Sequence, residues 1–83
     1  MLSFRTDDFV AISTASGGGS ASFRLIRMEK GIGEAVFLKG TSLKEFFTGD
    51  RVSVVLDREE SDLIGAAVIS EVRFPDTLLF RVR

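Results

Sequence analysis

Arginine is the residue type in this chain with the clearest chemical potential. Eight of the eleven basic residues are arginines, and the planar guanidinium makes forked hydrogen bonds to phosphate or carboxylate groups. Residues two apart on a strand point to the same face, so the odd-numbered arginines near residue 83 are expected to share a sheet. The pattern makes five arginines candidate contacts for RNA or single-stranded DNA: Arg24, Arg27, Arg73, Arg81 and Arg83.

The charge balance favours a different role for these arginines. Eleven Lys and Arg residues face twelve Asp and Glu residues, a formal net charge of −1. Nucleic-acid-binding proteins usually have a basic excess instead. Arginines on edge strands also prevent sheets from aggregating, and here they could pair with acids such as Glu71 or Asp57. That structural role is favoured, and nucleic-acid binding stays open as the alternative.

A second charged group is the acidic segment between two predicted strands. Its carboxylates could bind a hard cation such as Ca²⁺ or Mg²⁺. The segment lacks the alternating carboxylates and the central glycine of a calcium loop, so a solvated turn is favoured and no metal or cofactor is predicted. The same turn is a candidate docking point for a basic partner. Its acidic residues are Asp57, Glu59, Glu60 and Asp62.

The chain has few residues from which to build a catalytic site. It contains no His and no Cys, and so lacks the usual base near neutral pH and the most reactive nucleophile. The glycines 17–19 are not followed by the Lys-Ser or Lys-Thr of a P-loop. Gly31-Ile32-Gly33 lacks the third glycine of a dinucleotide-binding turn. Both segments are predicted to be simple turns, and the chain is predicted not to be an enzyme.

Composition points to one globular domain over residues 1–83. The chain is 45% apolar and 28% charged, which is typical of a folded domain. The first residues lack the apolar run of a signal peptide, and no segment reaches the roughly 18–20 apolar residues of a membrane span. We therefore predict a cytoplasmic protein that does not contact membranes.

Short strand-like segments separated by turn signals predict a mainly antiparallel all-β fold with one short helix. Residues 1–40 are expected to form an N-terminal β-meander, 41–50 a short helix and turn, and 51–83 a three-stranded C-terminal meander. Ser42 and Glu45 form a capping-box pattern, so the helix is placed over Leu43 to Phe47. The predicted architecture is a small SH3-like or Sm-like barrel, or a strongly bent sheet, of five to six strands.

The predicted strands of residues 51–83 are apolar on more than one face. Val52 and Val54 share one face, whereas Val55 points the other way. A sheet covered on both faces in so small a protein closes on itself, packs under a helix or buries one face against another subunit. We predict a self-associating module, a dimer or ring, that acts as an adaptor or regulator. Its interface is placed at Phe47, Val55, Ile69 and Leu79.

Residues 42–83 show one family resemblance. A short helix, Thr48-Gly49-Asp50 and three strands, with Gly65 in the long middle strand, resemble the core of the Sm-like RNA-binding fold. The resemblance covers about half of the chain, and swapped-hairpin transcription factors and dimerising domains of the flagellar switch type share the pattern. The RNA-contacting loop motifs of Sm-like proteins are not identifiable in this sequence. The resemblance therefore implies a small barrel and names no family.

Overall fold

The computed structural model describes residues 7–56 and 64–83 of the chain. One 3-10 helix, Leu43–Glu45, lies between the third and fourth strands. The strands within the described residues are β1 (Phe9–Thr14), β2 (Ser20–Glu29), β3 (Ile32–Gly40), β4 (Arg51–Leu56), β5 (Ile64–Arg73) and β6 (Thr77–Val82).

The six strands close into a barrel in the order β1-β2-β3-β6-β5-β4, and every neighbouring pair is antiparallel. Strands β1 to β3 form one meander and β4 to β6 another, and the pairs β1–β4 and β3–β6 join the two. The prediction of a small all-β barrel with one short helix is confirmed. The helix is a single turn and does not reach Phe47, where the sequence placed its end.

Strict alternation along the short strands produces the core. Inward side chains are buried and alternate with more exposed outward ones, and burial of apolar side chains inside the ring supplies the main stabilising free energy. The inward residues are Val10, Ile12 and Thr14 of β1, Val52, Val54 and Leu56 of β4, and Leu78 and Phe80 of β6.

Register shifts modify this alternation on the longer strands. One shift lies between Ile69 and Glu71 on β5, and a bulge inserts one residue, so that later residues face the opposite way. Ala67 and Ile69 face inward before the shift, and Val72 packs against the core after it. The sequence prediction placed Ile69 on the outer face. The structure corrects this, because Ile69 lies in the barrel core with 1% of its surface exposed.

Leu43 and Phe46 extend the core at one end of the barrel. The Phe46 ring meets Phe23 edge-on, with ring centroids 5.8 Å apart, and a Cβ on Gly19 would lie only 3.1 Å from the Phe46 ring. The Gly19 N–H donates to the Thr14 hydroxyl at 2.9 Å. The glycine loop predicted as a simple hairpin tip is therefore closely packed at its final residue.

Candidate interaction surfaces

The outer wall of the barrel carries an apolar surface across β1, β3 and β4. Two of its residues are well exposed, Phe9 at 50% and Leu38 at 47%. Ala11 pairs with Val55 on one side and with Ser22 on the other. Together with neighbouring residues they line a depression of about 360 Å³. We call this surface the outer apolar patch, and it consists of Phe9, Ala11, Leu38 and Val55.

A bulge exposes Leu38. Ser22 pairs with Lys39 and the next residue, Phe23, pairs with Phe37, so Leu38 has no partner on β2. Phe37 packs against the core, whereas Leu38 lies on the outside. Strict alternation gives no signal for this position, and sequence reasoning missed both Leu38 and Phe9.

The four predicted interface residues do not form one surface. Val55 lies in the outer apolar patch, and Ile69 lies inside the barrel. Val55 pairs with Ile64 of β5, whereas Leu79 pairs with Glu71 of the same strand. Ile64 and Glu71 are seven residues apart on β5, a distance of roughly 20 Å along the strand.

Three of the five predicted arginines are ion-paired. Arg24 Nη1 lies 3.9 Å from Asp7 Oδ1, and Arg27 Nη2 lies 3.1 Å from Glu29 Oε2. Arg73 donates hydrogen bonds to both carboxylate oxygens of Glu71, which confirms the predicted pairing of an arginine with that acid. These hydrogen bonds hold the pKa of Glu71 below its usual range and raise the pKa of Arg73. The three side chains are thereby less available to an external phosphate.

The other two arginines lie beside a third that the sequence reasoning missed. Val68 of β5 pairs with Arg51 on one side and with Arg81 on the other, and the Arg83 N–H donates to the carbonyl of Ala66 at 3.0 Å. Part of this surface borders a depression of about 630 Å³. We call it the arginine groove, formed by Arg51, Ala66, Val68, Ser70, Arg81 and Arg83.

No ion pair within the described residues involves Arg51, Arg81 or Arg83. The signal that could have identified Arg51 is its place as the first residue of a predicted strand. Its proximity to Arg81 depends on the pairing of β4 with β5, which the local sequence does not specify.

The acidic segment Asp57, Glu59, Glu60 and Asp62 lies outside the described residues. Within residues 7–56 and 64–83, no three potential ligands cluster to hold a metal ion. The one buried polar side chain in these ranges is Thr14, and its hydroxyl is hydrogen-bonded. None of the helical structure described there is long and apolar enough to cross a bilayer.

Comparisons with known proteins give no family for this chain. No protein-family model, no curated protein and no solved structure matches it. The outer apolar patch and the arginine groove are therefore the features on which a function can be argued.

Proposed function

We propose that the chain is a non-catalytic interaction module that associates with a second copy of itself through the outer apolar patch. The exposed Phe9 and Leu38 beside Val55 carry this proposal. An outer barrel wall normally faces water, and contiguous exposed apolar groups there are typical of protein interaction sites. Such a module would act as an adaptor or regulator through its protein contacts.

Small side chains within and beside the patch favour contact with another sheet. Ala11 and Ser22 lie between the larger apolar residues. Ser13 and Ser53 continue the outer face of β1 and β4, where they pair with each other. Since packed sheets approach to about 10 Å, small side chains allow the backbone of a second barrel to come close while Phe9 and Leu38 fill the space at the edges.

The charges around the patch favour a second copy as the occupant. In a two-fold dimer the same surface faces itself, so a rim of one sign would repel its copy. Here the rim has both signs, because Lys39 and Arg24 are basic and Asp7 lies 3.9 Å from Arg24. With a net charge of −1, two copies can associate without strong repulsion.

The proposal predicts a concentration-dependent dimer. Light scattering after size exclusion at several concentrations should give a mass approaching twice 9.1 kDa. Phe9→Ser and Leu38→Ser should each weaken the dimer because they remove apolar contact area. Phe74→Ser is the matched control, since Phe74 is 61% exposed and lies outside the patch.

Two results would overturn this proposal. A monomer at every concentration would show that the patch does not mediate self-association. A dimer unaffected by both Phe9→Ser and Leu38→Ser would place the interface elsewhere. Nucleic-acid binding through the five predicted arginines is the weaker proposal, because carboxylates hold three of them.

A further inference from the structure

The arginine groove follows β5 and has basic residues on both sides, and a depression borders the side of Arg81 and Arg83. Arg51 on β4 and Arg81 on β6 lie on opposite sides of β5. Two strand spacings separate those sides by about 10 Å. The floor between them consists of the small β5 residues Ala66, Val68 and Ser70. A ligand lying along β5 would therefore meet positive charge on both sides and little steric obstruction beneath it.

Three acids of the described residues 7–56 and 64–83 have hydrogen-bond or ion-pair partners outside the groove. The Asp50 carboxylate, next to Arg51 in the chain, accepts the Phe47 N–H through Oδ2 at 3.1 Å. Farther around the outer wall, Glu29 is held by Arg27 and Glu71 by Arg73. The groove contains three arginines and no acid, and the charge of Asp50 beside Arg51 offsets only one of them, so the groove stays locally basic although the whole chain has a net charge of −1.

An exposed aromatic residue begins a turn that is hydrogen-bonded to β5. Phe47 is 61% exposed and begins a turn in which the Asp50 N–H donates to the Phe47 carbonyl. The Gly49 N–H in this turn donates to the carbonyl of Ile69 at 2.8 Å. Ile69 lies between the floor residues Val68 and Ser70, so the turn is attached to the strand that forms the floor.

We propose that the arginine groove binds single-stranded nucleic acid, with Arg51, Arg81 and Arg83 contacting phosphates and Phe47 stacking on a base. A basic groove combined with an exposed aromatic ring is the usual design of proteins that bind single strands without sequence preference. Reading a duplex commonly requires a helix or β-ribbon in its major groove, whereas the arginine groove lies along a strand of the outer barrel wall. This site shares no residue with the outer apolar patch and does not depend on self-association.

Fluorescence anisotropy tests this assignment. The probes are labelled oligothymidylate and oligouridylate of about 12 nucleotides, a length within the range that small barrels cover. In a plot of the logarithm of the association constant against the logarithm of the salt concentration, three phosphate contacts predict a slope of about −2. Affinity should therefore fall about 100-fold between roughly 20 and 200 mM salt.

Single substitutions identify the site. Arg51→Gln and Arg81→Gln, on opposite sides of β5, should each make the salt slope shallower by about 0.7. Phe47→Ala should weaken binding roughly 10-fold and leave the slope unchanged, because stacking releases no counterions. Arg24→Gln is the matched control. It removes the same charge from β2, the strand opposite β5 in the ring, and should leave the affinity unchanged.

Three outcomes would overturn the proposal. The first is no binding of either oligonucleotide at about 20 mM salt, where phosphate contacts are strongest. The second is an equal loss of affinity in Arg24→Gln and Arg81→Gln. The third is duplex DNA binding as tightly as the single strands. Circular dichroism of each variant would verify its fold, and Arg51→Gln and Arg81→Gln substitute for each other if one does not fold. Self-association is measured by the mass in solution and nucleic-acid binding by anisotropy. Failure of the dimer proposal is therefore distinguishable from failure of the nucleic-acid proposal.

Discussion

The ring of Phe80 lies directly against the backbone of Gly33, its cross-strand partner in the β3–β6 pair. A Cβ built on Gly33 would lie 2.5 Å from Phe80 Cζ and 2.8 Å from Cε2. Both residues are buried. Small barrels fill their interiors by opposing large and small side chains, and here the small partner has no side chain at all.

We expect Gly33→Ala to destabilise the barrel by about 1–3 kcal/mol, the usual cost of overpacking a core. The added methyl group would overlap the Phe80 ring, which has to leave its preferred position or push β3 and β6 apart. Gly33 does not have a positive φ, so the cost is steric and does not arise from backbone strain. Urea unfolding followed by far-ultraviolet circular dichroism measures the free energy of unfolding.

Gly18→Ala is the matched control. A Cβ there would lie 3.7 Å or more from its nearest neighbours, and the residue has no positive φ. Since alanine restricts the unfolded chain more than glycine does, this variant should be unchanged or more stable by up to about 1 kcal/mol. Equal destabilisation by both substitutions would show that contact with Phe80 is not the cause.

The fold was largely predictable from the sequence, but the facing of several residues was not. Alternation separated the two faces of β4 correctly, since Val52 and Val54 are buried and Val55, predicted to point the other way, is more exposed. It failed at the bulges, where Leu38 is displaced outward and Ile69 shares the interior with Val72. A bulge is defined by the register of the partner strand, and a single strand's pattern does not contain that information.

The candidate surfaces show the same limit. Val55 was predicted to be on the outer wall and is there, but its neighbour Phe9 belongs to a strand far away in sequence. Arg51 approaches Arg81 only because both of their strands pair with β5. Residue type and spacing identified individual candidates, whereas tertiary pairing determined which of them lie together.

Adjacent phenylalanines in the segment after the 3-10 helix should have very different effects on stability. Phe46 is 1% exposed and packs edge-on against Phe23, whereas Phe47 is 61% exposed. Phe46→Ala should cost about 3–5 kcal/mol, because it removes a buried ring and leaves a cavity. Phe47→Ala should change the free energy of unfolding by less than about 0.5 kcal/mol.

Thermal and urea unfolding of the two variants, measured side by side, test this difference. The pair is well matched, because each variant loses one phenyl group from the same short segment. Similar losses of stability in both would mean that the Phe47 ring is packed in solution. A loss below about 1 kcal/mol for Phe46→Ala would contradict its place in the core.

The Glu71–Arg73 pair should make part of the stability depend on pH. Hydrogen bonds from Arg73 lower the pKa of Glu71 in the folded protein, so the unfolded chain takes up this proton first as the pH falls. The resulting stabilisation is fully present above the unfolded pKa of about 4.3 and is lost as the pH falls through the lower folded value. We therefore expect wild type to be more stable than Glu71→Gln near neutral pH, with the difference vanishing in acid.

Comparison of the two proteins isolates this effect, because the other carboxylates titrate in both. Thermal unfolding at several pH values from neutral down to about 2.5, well below the ordinary glutamate pKa of about 4.3, follows the difference as acid is added. A carbon-13 titration of the Glu71 carboxyl group reports its pKa directly. The difference should be small and should shrink at high salt, since both side chains are exposed and solvent screens their attraction. A difference that stays constant with pH would assign the effect of the substitution to something other than the charge on Glu71.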